Sequence, residues 1–443
     1  MMTYRWTCSV LVVALALGFA ASAAGQLAAP SARSSALAGS FMARARGYES
    51  GYWNPANLGL PDRPGWSVGL AGANTWLSNN ALSHGQITDL YGNFIDDATK
   101  SRLLADIRAA NPEGNLELNF ELGGSFAGVS VGRFGFALTS IAVGDADLSA
   151  DAVELMLFGN DGEEGGGKDF DFSGSSGKAR WLTGGMLSYG QPFQVRLQKD
   201  SFLDLSVGAS FTYGVAHGLL RFDDRGTVIT AEPLELDAVA ERVRTDLGDS
   251  GRFWALGIGV AGQWKGLVAG ISLHNLLGDI SWDLDDVELT GYAATADFER
   301  TTTSDSTARF AELTPDEQER LRESLNGLDV PTRLRIGGAY RFSRRLGLSV
   351  DYHDFLGGSL RGTWDHTLAV GGDFFVFRQL QLLAGVATDF SQAALTAGAG
   401  VWLGVFHADV AIGRWGLIEG DGVSLAISLS FWPGRALVPA GWD

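Results

Sequence analysis

Ser272 and His274 stand two residues apart on one face of an alternating segment, the spacing at which a hydrolytic barrel could set a nucleophile beside its base. A triad also needs a third group to hold that base, and no acid lies close to His274 in its segment. The six histidines, at positions 84, 217, 274, 353, 366 and 407, yield two further pairs, Asp351/His353 and His407/Asp409. Each pair shares one face at i,i+2. Metal sites usually take at least three protein ligands, so ordinary hydrogen bonding is the better reading of both. The chain is therefore expected to be no enzyme, to hold no metal and to need no cofactor.

Charge placement carries more. Glu117, Glu121, Asp204, Asp351, Asp365 and Asp373 fall on the same face type as Arg333 and Arg335. One reading is a network of ion pairs that braces an interior, since buried charges usually satisfy each other. The other is a polar rung along a ligand path, with an Arg receiving a carboxylate.

The elements that would position these residues read as long strands. From Leu116 to Phe126, Leu116, Leu118, Phe120, Leu122 and Phe126 alternate with Glu117, Asn119, Glu121, Gly123 and Ser125. The stretches 203–213, 254–264 and 422–431 repeat the pattern, each with one apolar and one small or polar face. Period two means β-strands. Soluble sandwiches and small barrels also alternate, but their strands usually have five or six residues. About ten to fourteen residues suits a membrane-crossing strand.

Tryptophans mark the ends. Trp66 and Trp76 bracket one segment, and Trp254 and Trp264 another, each pair ten residues apart and so expected on one face. Ten residues at about 3.3 Å, tilted about 40°, rise roughly 25 Å, the height of an apolar band between aromatic girdles. Fourteen strands are expected: 64–76, 115–127, 130–143, 178–190, 201–215, 251–264, 267–282, 331–342, 345–355, 364–376, 379–388, 393–402, 405–413 and 421–432. Long segments (77–114, 144–177, 216–250 and 283–330) alternate with short turns such as Lys265-Gly266, with 191–200 as one longer turn. Long outer loops and short periplasmic turns are the outer-membrane rule.

Composition agrees. Of 443 residues, 46% are apolar, 19% charged and 60 are Gly, with Pro scarce at 11. The glycines have no three-residue period, which excludes a collagen. With 33 basic and 51 acidic residues, net −18, the chain lacks the basic footprint of a nucleic-acid binder. Residues 1–24 read as a secretory signal peptide: Arg5, an apolar core from Cys8 to Ala20, then Ala21-Ser22-Ala23-Ala24. Cys8 is the single cysteine, so the exported chain is held by other means than disulfides. Small residues on the inward face leave space that a fourteen-strand barrel cannot fill with its own side chains.

Residues 25–60 could fill it. From Ser31 the chain reads SARSSALAGSFMARARGYESGYWNPANLGL, with a small cluster at Ala36-Leu37-Ala38-Gly39 and a capped turn at Asn54-Pro55-Ala56. This stretch resembles the N-terminal hatch of the long-chain fatty-acid transporter (FadL-like) family of outer-membrane proteins. There a small-residue run leads to an aromatic residue and an N-P-A-G-L-type motif, matched here by Ala38-Gly39-Ser40 and by Trp53-Asn54-Pro55-Ala56-Asn57-Leu58. Asn57 stands where the family usually has Gly, and Asn also tolerates left-handed geometry. The terminal aromatic pair Phe431-Trp432 is followed by eleven more residues. The resemblance implies a fourteen-stranded barrel with its N-terminus folded in the lumen, passing hydrophobic molecules without an energy source. The motif is expected to anchor the plug on Ser67, Gly69 and Ala71.

The loops hold helices. Thr314-Pro315-Asp316-Glu317 is a capping box with Gly327 as the stop, and Ile87, Leu90, Phe94, Leu103, Leu104 and Ile107 form an apolar stripe. Such stripes are expected either to pack together or to form a lid for greasy ligands. Asp161 to Gly177 reads as mobile surface loop. The whole is thus an all-β, 14-stranded antiparallel transmembrane β-barrel of a Gram-negative outer membrane, monomeric, with an N-terminal lumenal plug and helical segments in long extracellular loops. Its parts are the signal peptide (1–24), the plug (25–60), the barrel (61–432) and a periplasmic tail (433–443). The expected function is porin-like, passive uptake of hydrophobic or amphipathic small molecules such as long-chain fatty acids, amid outer-membrane lipids and lipopolysaccharide. The alternative is a non-transporting structural or secretion-accessory barrel that docks protein partners through its loops.

Overall fold

Fourteen alternating segments form antiparallel strands in chain order: β1 (Trp66–Asn79), β2 (Leu116–Val131), β3 (Phe134–Leu148), β4 (Ser175–Gln198), β5 (Ser201–Asp224), β6 (Gly251–Trp264), β7 (Leu267–Trp282), β8 (Thr332–Arg341), β9 (Leu346–Leu356), β10 (His366–Phe377), β11 (Leu380–Thr388), β12 (Ala393–Leu403), β13 (Phe406–Trp415) and β14 (Asp421–Phe431). Each pairs with its sequence neighbour, and β1 pairs with β14 from Val68↔Phe431 to Asn79↔Asp421. The sheet therefore closes on itself, so that no edge is open along the shared band of the fourteen strands, as a hydrocarbon setting requires. Outward positions such as Ile258, Val350, Val386, Ile412 and Leu425 are exposed and apolar, far more greasy surface than a soluble protein presents. The computed structural model describes residues 31–83, 85–87, 95–166, 168–198, 201–224, 227–229, 235–245, 248, 250–297, 300–326, 330–356, 364, 366–416 and 421–432. The signal peptide, the C-terminal tail, Leu90, Phe94, Gly327 and Asp365 lie outside the described residues.

The girdle holds in one strand and fails in another. Trp254 and Trp264 both face outward, 38% and 40% exposed. Trp66 is 41% exposed, but Trp76 is 5% exposed and packs edge-on against Trp415 at 5.8 Å inside the barrel. A bulge between Gly69 and Ala71 shifts the β1–β14 register by one residue and reverses the face of everything after it.

β4 and β5 run 24 residues each, so the expected turn at 191–200 is largely strand. Pro192 pairs opposite Ser206 but lies beyond Tyr189, where β3 ends its pairing with β4. Its missing N–H therefore sits on an unpaired edge, where Pro is tolerated. Above the barrel the described loop residues form further strands. A strand at Glu235–Thr245 pairs with Leu220–Asp224 of β5 and with Val287–Asp297, which forms a hairpin with Arg300–Arg309.

Three loop helices are capped as their sequences dictate. In α1 (Asp97–Ala110) the Asp96 side chain accepts from Thr99 N at 2.8 Å, and in α2 (Ala150–Phe158) Ser149 accepts from Ala152 N at 3.2 Å. In α3 (Pro315–Asn326) Thr314 N donates to Glu317 Oε2 at 2.8 Å and Glu317 N to Thr314 Oγ1 at 3.4 Å, the reciprocal capping box. Leu104 and Ile107 of α1 pack on Val153 of α2 and on Leu116. Leu321 and Leu325 of α3 pack with Phe310, Val287, Val243, Leu219 and Val143. The apolar stripes are thus consumed between the loops, while Ile87 stays exposed. The expected mobile stretch Asp161–Gly177 is packed at several points. Phe170 is buried, and Lys168 reaches Asp151 at 2.7 Å and Glu154 at 2.6 Å.

Glu154 joins the first two long loops, taking Arg108 at 2.6 Å and the Glu163 N–H at 2.9 Å. Burial acts to raise its carboxyl, but the Glu163 N–H, Lys168 and Arg108 outweigh burial and hold it below the ordinary glutamate range. A carboxyl depressed by folding stabilises fully above its unfolded pKa of about 4.3 and loses that contribution as pH falls through its folded pKa. Loop packing should therefore be intact at neutral pH and loosen only in acid. Glu154→Gln should speed amide exchange in α1 and α2 at pH 7, leave the strands unchanged, and flatten that acid dependence.

Candidate functional site in the barrel lumen

The inward faces of the strands are lined by Gly, Ala, Ser and Thr, and the space this leaves is filled by the chain's own N-terminal segment. Every residue from Ser31 to Leu60 is buried except Ser35 and Gly39, which are half-buried. The segment is a string of short turns: a helix at Ala32–Ala36, another at Ser50–Trp53 and a 3-10 turn at Pro55–Gly59. The first helix ends in a turn in which Ala38 takes the left-handed φ of +53°; Gly39 follows at φ +86°, and its missing side chain leaves room for His353, 3.4 Å from where a Cβ would stand.

Polar anchors fix it to the wall on all sides. Ala32 N donates to Ser428 Oγ on β14 at 3.2 Å, and Thr396 Oγ1 on β12 donates to Ala36 O at 2.8 Å. Ser349 Oγ on β9 donates to Ser40 O at 2.9 Å, and Met42 N donates to Asp351 Oδ2 at 2.6 Å. Tyr48 N donates to Ser67 Oγ on β1 at 2.8 Å, and Tyr52 OH to Thr139 Oγ1 on β3 at 3.1 Å. Backbone groups that a buried loop would leave unpaired are satisfied by short side chains of the wall.

The aromatic–Asn-Pro motif is the best anchored part. The Trp53 carbonyl accepts from both Ser272 Oγ (2.8 Å) and His274 Nε2 (3.2 Å) on β7. The pair that could have been a nucleophile and base is thus a clamp on one plug oxygen. Arg335 Nη1 donates to Tyr52 O at 2.7 Å, and its guanidinium lies 4.8 Å from the Trp53 ring centroid. Phe41 meets that ring edge-on at 5.6 Å. Asn54 Oδ1 caps Ala56 N at 3.0 Å, and its Nδ2 donates to Val260 O on β6 at 3.0 Å. Gly208 on β5 lets the Pro55–Ala56 peptide lie directly against the strand, because any Cβ there would overlap it.

The expected seat on Ser67, Gly69 and Ala71 is therefore wrong. Ser67 and Gly69 receive Tyr48 instead, and Ala71 faces outward after the β1 bulge. Asn57 is not left-handed either. It lies within the 3-10 turn, and its Nδ2 ties two plug carbonyls, Met42 O at 2.8 Å and Ala45 O at 3.0 Å. Where a glycine would only permit a turn, Asn57 braces the plug against itself.

The inward charges divide. Asp351, His353, Arg333 and Arg335 come together on β8 and β9. His353 Nε2 is 3.7 Å from Asp351 Oδ2, Arg333 Nη2 is 3.3 Å from His353 Nδ1, and Arg335 is the cross-strand partner of His353. Glu121 on β2 accepts from Asn74 Nδ2 at 3.3 Å and interacts electrostatically with Arg333. Arg333 stands one rung beyond the plug toward the loops and is half-buried. Glu117 and Asp204 do not join this group. Glu117 accepts from Asn111 Nδ2 at 2.7 Å under α1, and Asp204 from Gln194 Nε2 at 2.8 Å at the short-turn end. Both sit where their strands leave the band, which alternation alone does not locate.

Three partners were not singled out from sequence. Arg33 pairs with Glu49 at 2.6 Å and approaches Asp409 at 3.7 Å, and Arg44 pairs with Asp373 at 2.5 Å. Three arginines within fourteen residues of a buried, small-residue segment were the available signal. His407 lies against Trp402 at 3.5 Å between centroids, not on Asp409. No three metal-ligating side chains converge among the described residues.

No family model matches the sequence, and no curated protein does. Among solved structures the chain is similar to a FadL homologue of Pseudomonas aeruginosa, at 14% identity over 92% of this chain and 99% of that one, with a TM-score of 0.48. It is also similar to the toluene transporter TodX of P. putida (12% identity, 93% and 100% covered, TM-score 0.44) and to the monoaromatic hydrocarbon channel CymD (10%, 94% and 98%, 0.43). The conclusion that the chain is a closed, fourteen-stranded antiparallel barrel with an internal plug rests on its own strand pairing.

Proposed function

We propose that this barrel is a monomeric outer-membrane channel for passive entry of hydrophobic or amphipathic small molecules, long-chain fatty acids among them, and that residues 31–60 are its gate. The observation that carries this reading is the nature of the plug's seat. Beside an apolar cluster in which Leu37, Phe41, Met42 and Trp53 meet Ala137, Met186 and Leu383 of the wall, it is held by separate hydrogen bonds to short wall side chains and by ion pairs, contacts that a passing ligand can exchange one at a time. On this reading Arg333, half-buried on the loop side of the plug, would exchange its contacts with Glu121 and His353 for a ligand carboxylate. Outer-membrane lipids and lipopolysaccharide would surround the apolar band. The second reading, docking of protein partners, is favoured by the charged outer surface of α3, where Asp316, Glu319, Arg320 and Glu323 are exposed.

Uptake of laurate and of an aromatic hydrocarbon by cells lacking the gene, against complemented cells, decides between them. Reduced uptake supports the channel. Normal uptake with loss of a surface protein supports docking. The gate is tested by Asn54→Ala combined with Pro55→Gly, which removes the Val260 bond and the Ala56 cap. The expected result is a folded barrel with at least several-fold higher ion conductance in planar bilayers, and a conductance equal to wild type would mean that this turn does not hold the gate.

A further inference from the structure

At the short-turn mouth a small cleft of about 50 Å³ opens between plug and wall. Arg44 and Arg46 of the plug line it, with Lys265 and Arg341 of the wall, and Asp62 is the one carboxylate among its lining residues. Arg46 is matched, with Nε 2.9 Å from Asp62 Oδ1 and Nη2 2.8 Å from Oδ2. The other three are not. Arg44 and Arg341 share a single carboxylate, Asp373, at 2.5 and 3.3 Å, and Asp373 also accepts from Gln381 Nε2 at 2.9 Å. Both guanidinium side chains are more than nine-tenths buried, yet Arg341 Nη1 and Arg44 Nε have no hydrogen-bond partner.

Lys265 has no carboxylate within 4.0 Å among the described residues, and its Nζ lies 4.7 Å from the centroid of the Trp264 ring. Four cations thus meet two carboxylates, in a chain whose net charge is −18. Burying charge without a counter-ion costs free energy, so an uncompensated pair of donors suits an anion supplied from outside. The rest of the cleft is greasy: Ala43 and Val268 belong to one buried cluster, with Ala339 packed against it. Trp264 and Tyr340 face outward beside it, at the level where lipid head groups begin.

We propose that this cleft is a binding station for the carboxylate of a single-chain amphiphilic acid. Arg341 and Lys265 receive the head, and Ala43, Val268 and Ala339 receive the first methylenes of the tail. From the channel reading it takes only the class of ligand. On that reading the station lies at the periplasmic exit, so an acid leaving the gate is held there before release.

The experiment measures laurate and 1-dodecanol binding to the full-length barrel in phosphatidylcholine nanodiscs, with heat-modifiable gel migration as the fold control. Wild type should bind laurate at least tenfold more tightly than dodecanol, as loss of a charged hydrogen bond implies. Arg341→Gln with Lys265→Gln should abolish that preference and leave dodecanol binding unchanged. If the double variant does not fold, Lys265→Gln alone, at the exposed turn, should lower laurate affinity severalfold. A laurate preference that survives in the folded variants overturns the proposal. So does displacement of laurate when phosphatidylglycerol replaces phosphatidylcholine, since the cleft would then hold a lipid phosphate. Uptake into liposomes by the wild-type barrel is read separately: wild-type uptake without any laurate preference overturns the station alone, whereas a wild-type laurate preference without uptake overturns the channel and leaves the station standing.

Discussion

Arg33→Ala should free the N-terminal half of the plug at a cost of about 3–5 kcal/mol, the usual penalty for stranding a buried charge. Its Nη2 lies 2.6 Å from Glu49 Oε2, its Nε 3.7 Å from Asp409, and its guanidinium 4.4 Å from the Trp432 ring centroid. Both carboxylates are buried, and among the described residues Glu49 has Ser31 Oγ at 2.6 Å as its one other donor. Without Arg33 two acids face each other in a dry interior, whereas the barrel wall keeps its own strand ladder. Limited proteolysis should therefore cut between Ser31 and Glu49 while gel migration stays that of a folded barrel. Adding Glu49→Gln and Asp409→Asn should restore much of the protection, because the stranded charges are then gone. Equal protease resistance of Arg33→Ala and wild type would show that charge does not seat the plug.

The smallest substitution has the second largest expected effect. In Gly208→Ala the new Cβ would overlap the Pro55–Ala56 peptide, and backbone cannot swing aside as a flexible side chain can. Overpacking of this kind costs about 1–3 kcal/mol, occasionally more. The strand is fixed by two neighbours in register, Gly190 and Gly259, so the plug must yield. Conductance should rise toward that of an unplugged barrel. Gly338→Ala is the matching control, since only Val268 O comes within 4 Å of its Cβ, at 3.7 Å, and it should conduct as wild type does. An unchanged conductance in Gly208→Ala would mean that the gate is held elsewhere.

Much of the architecture was legible because membrane strands are written in a local code. A two-residue period over ten or more positions needs no knowledge of neighbours, and all fourteen barrel strands are found where alternation placed them. Capping boxes are equally local, as Thr314 and Glu317 show. Where the code weakens, the reading stops. The loop strands at 287–297 and 300–309 are rich in Ala, Thr and Ser with little apolar contrast, so their period was invisible. Pro192 hid the rest of β4, because only the position of β3 reveals that its edge is unpaired.

The site was less legible for a different reason. The sequence by itself determined that inward positions would be small and polar, and that residues 25–60, with their small-residue cluster and capped Asn-Pro turn, could fill the lumen. Which partner each group takes is a property of the closed tube. Arg33 reaches Asp409 across 376 positions of chain, and the Trp53 carbonyl meets Ser272 and His274 only because seven strands curl around it first. Even the faces depend on closure: one bulge at Gly69/Ala71 turns Trp76 from the lipid to the lumen. Alternation fixes a side chain relative to its own strand. The register of the neighbours decides what that side chain meets.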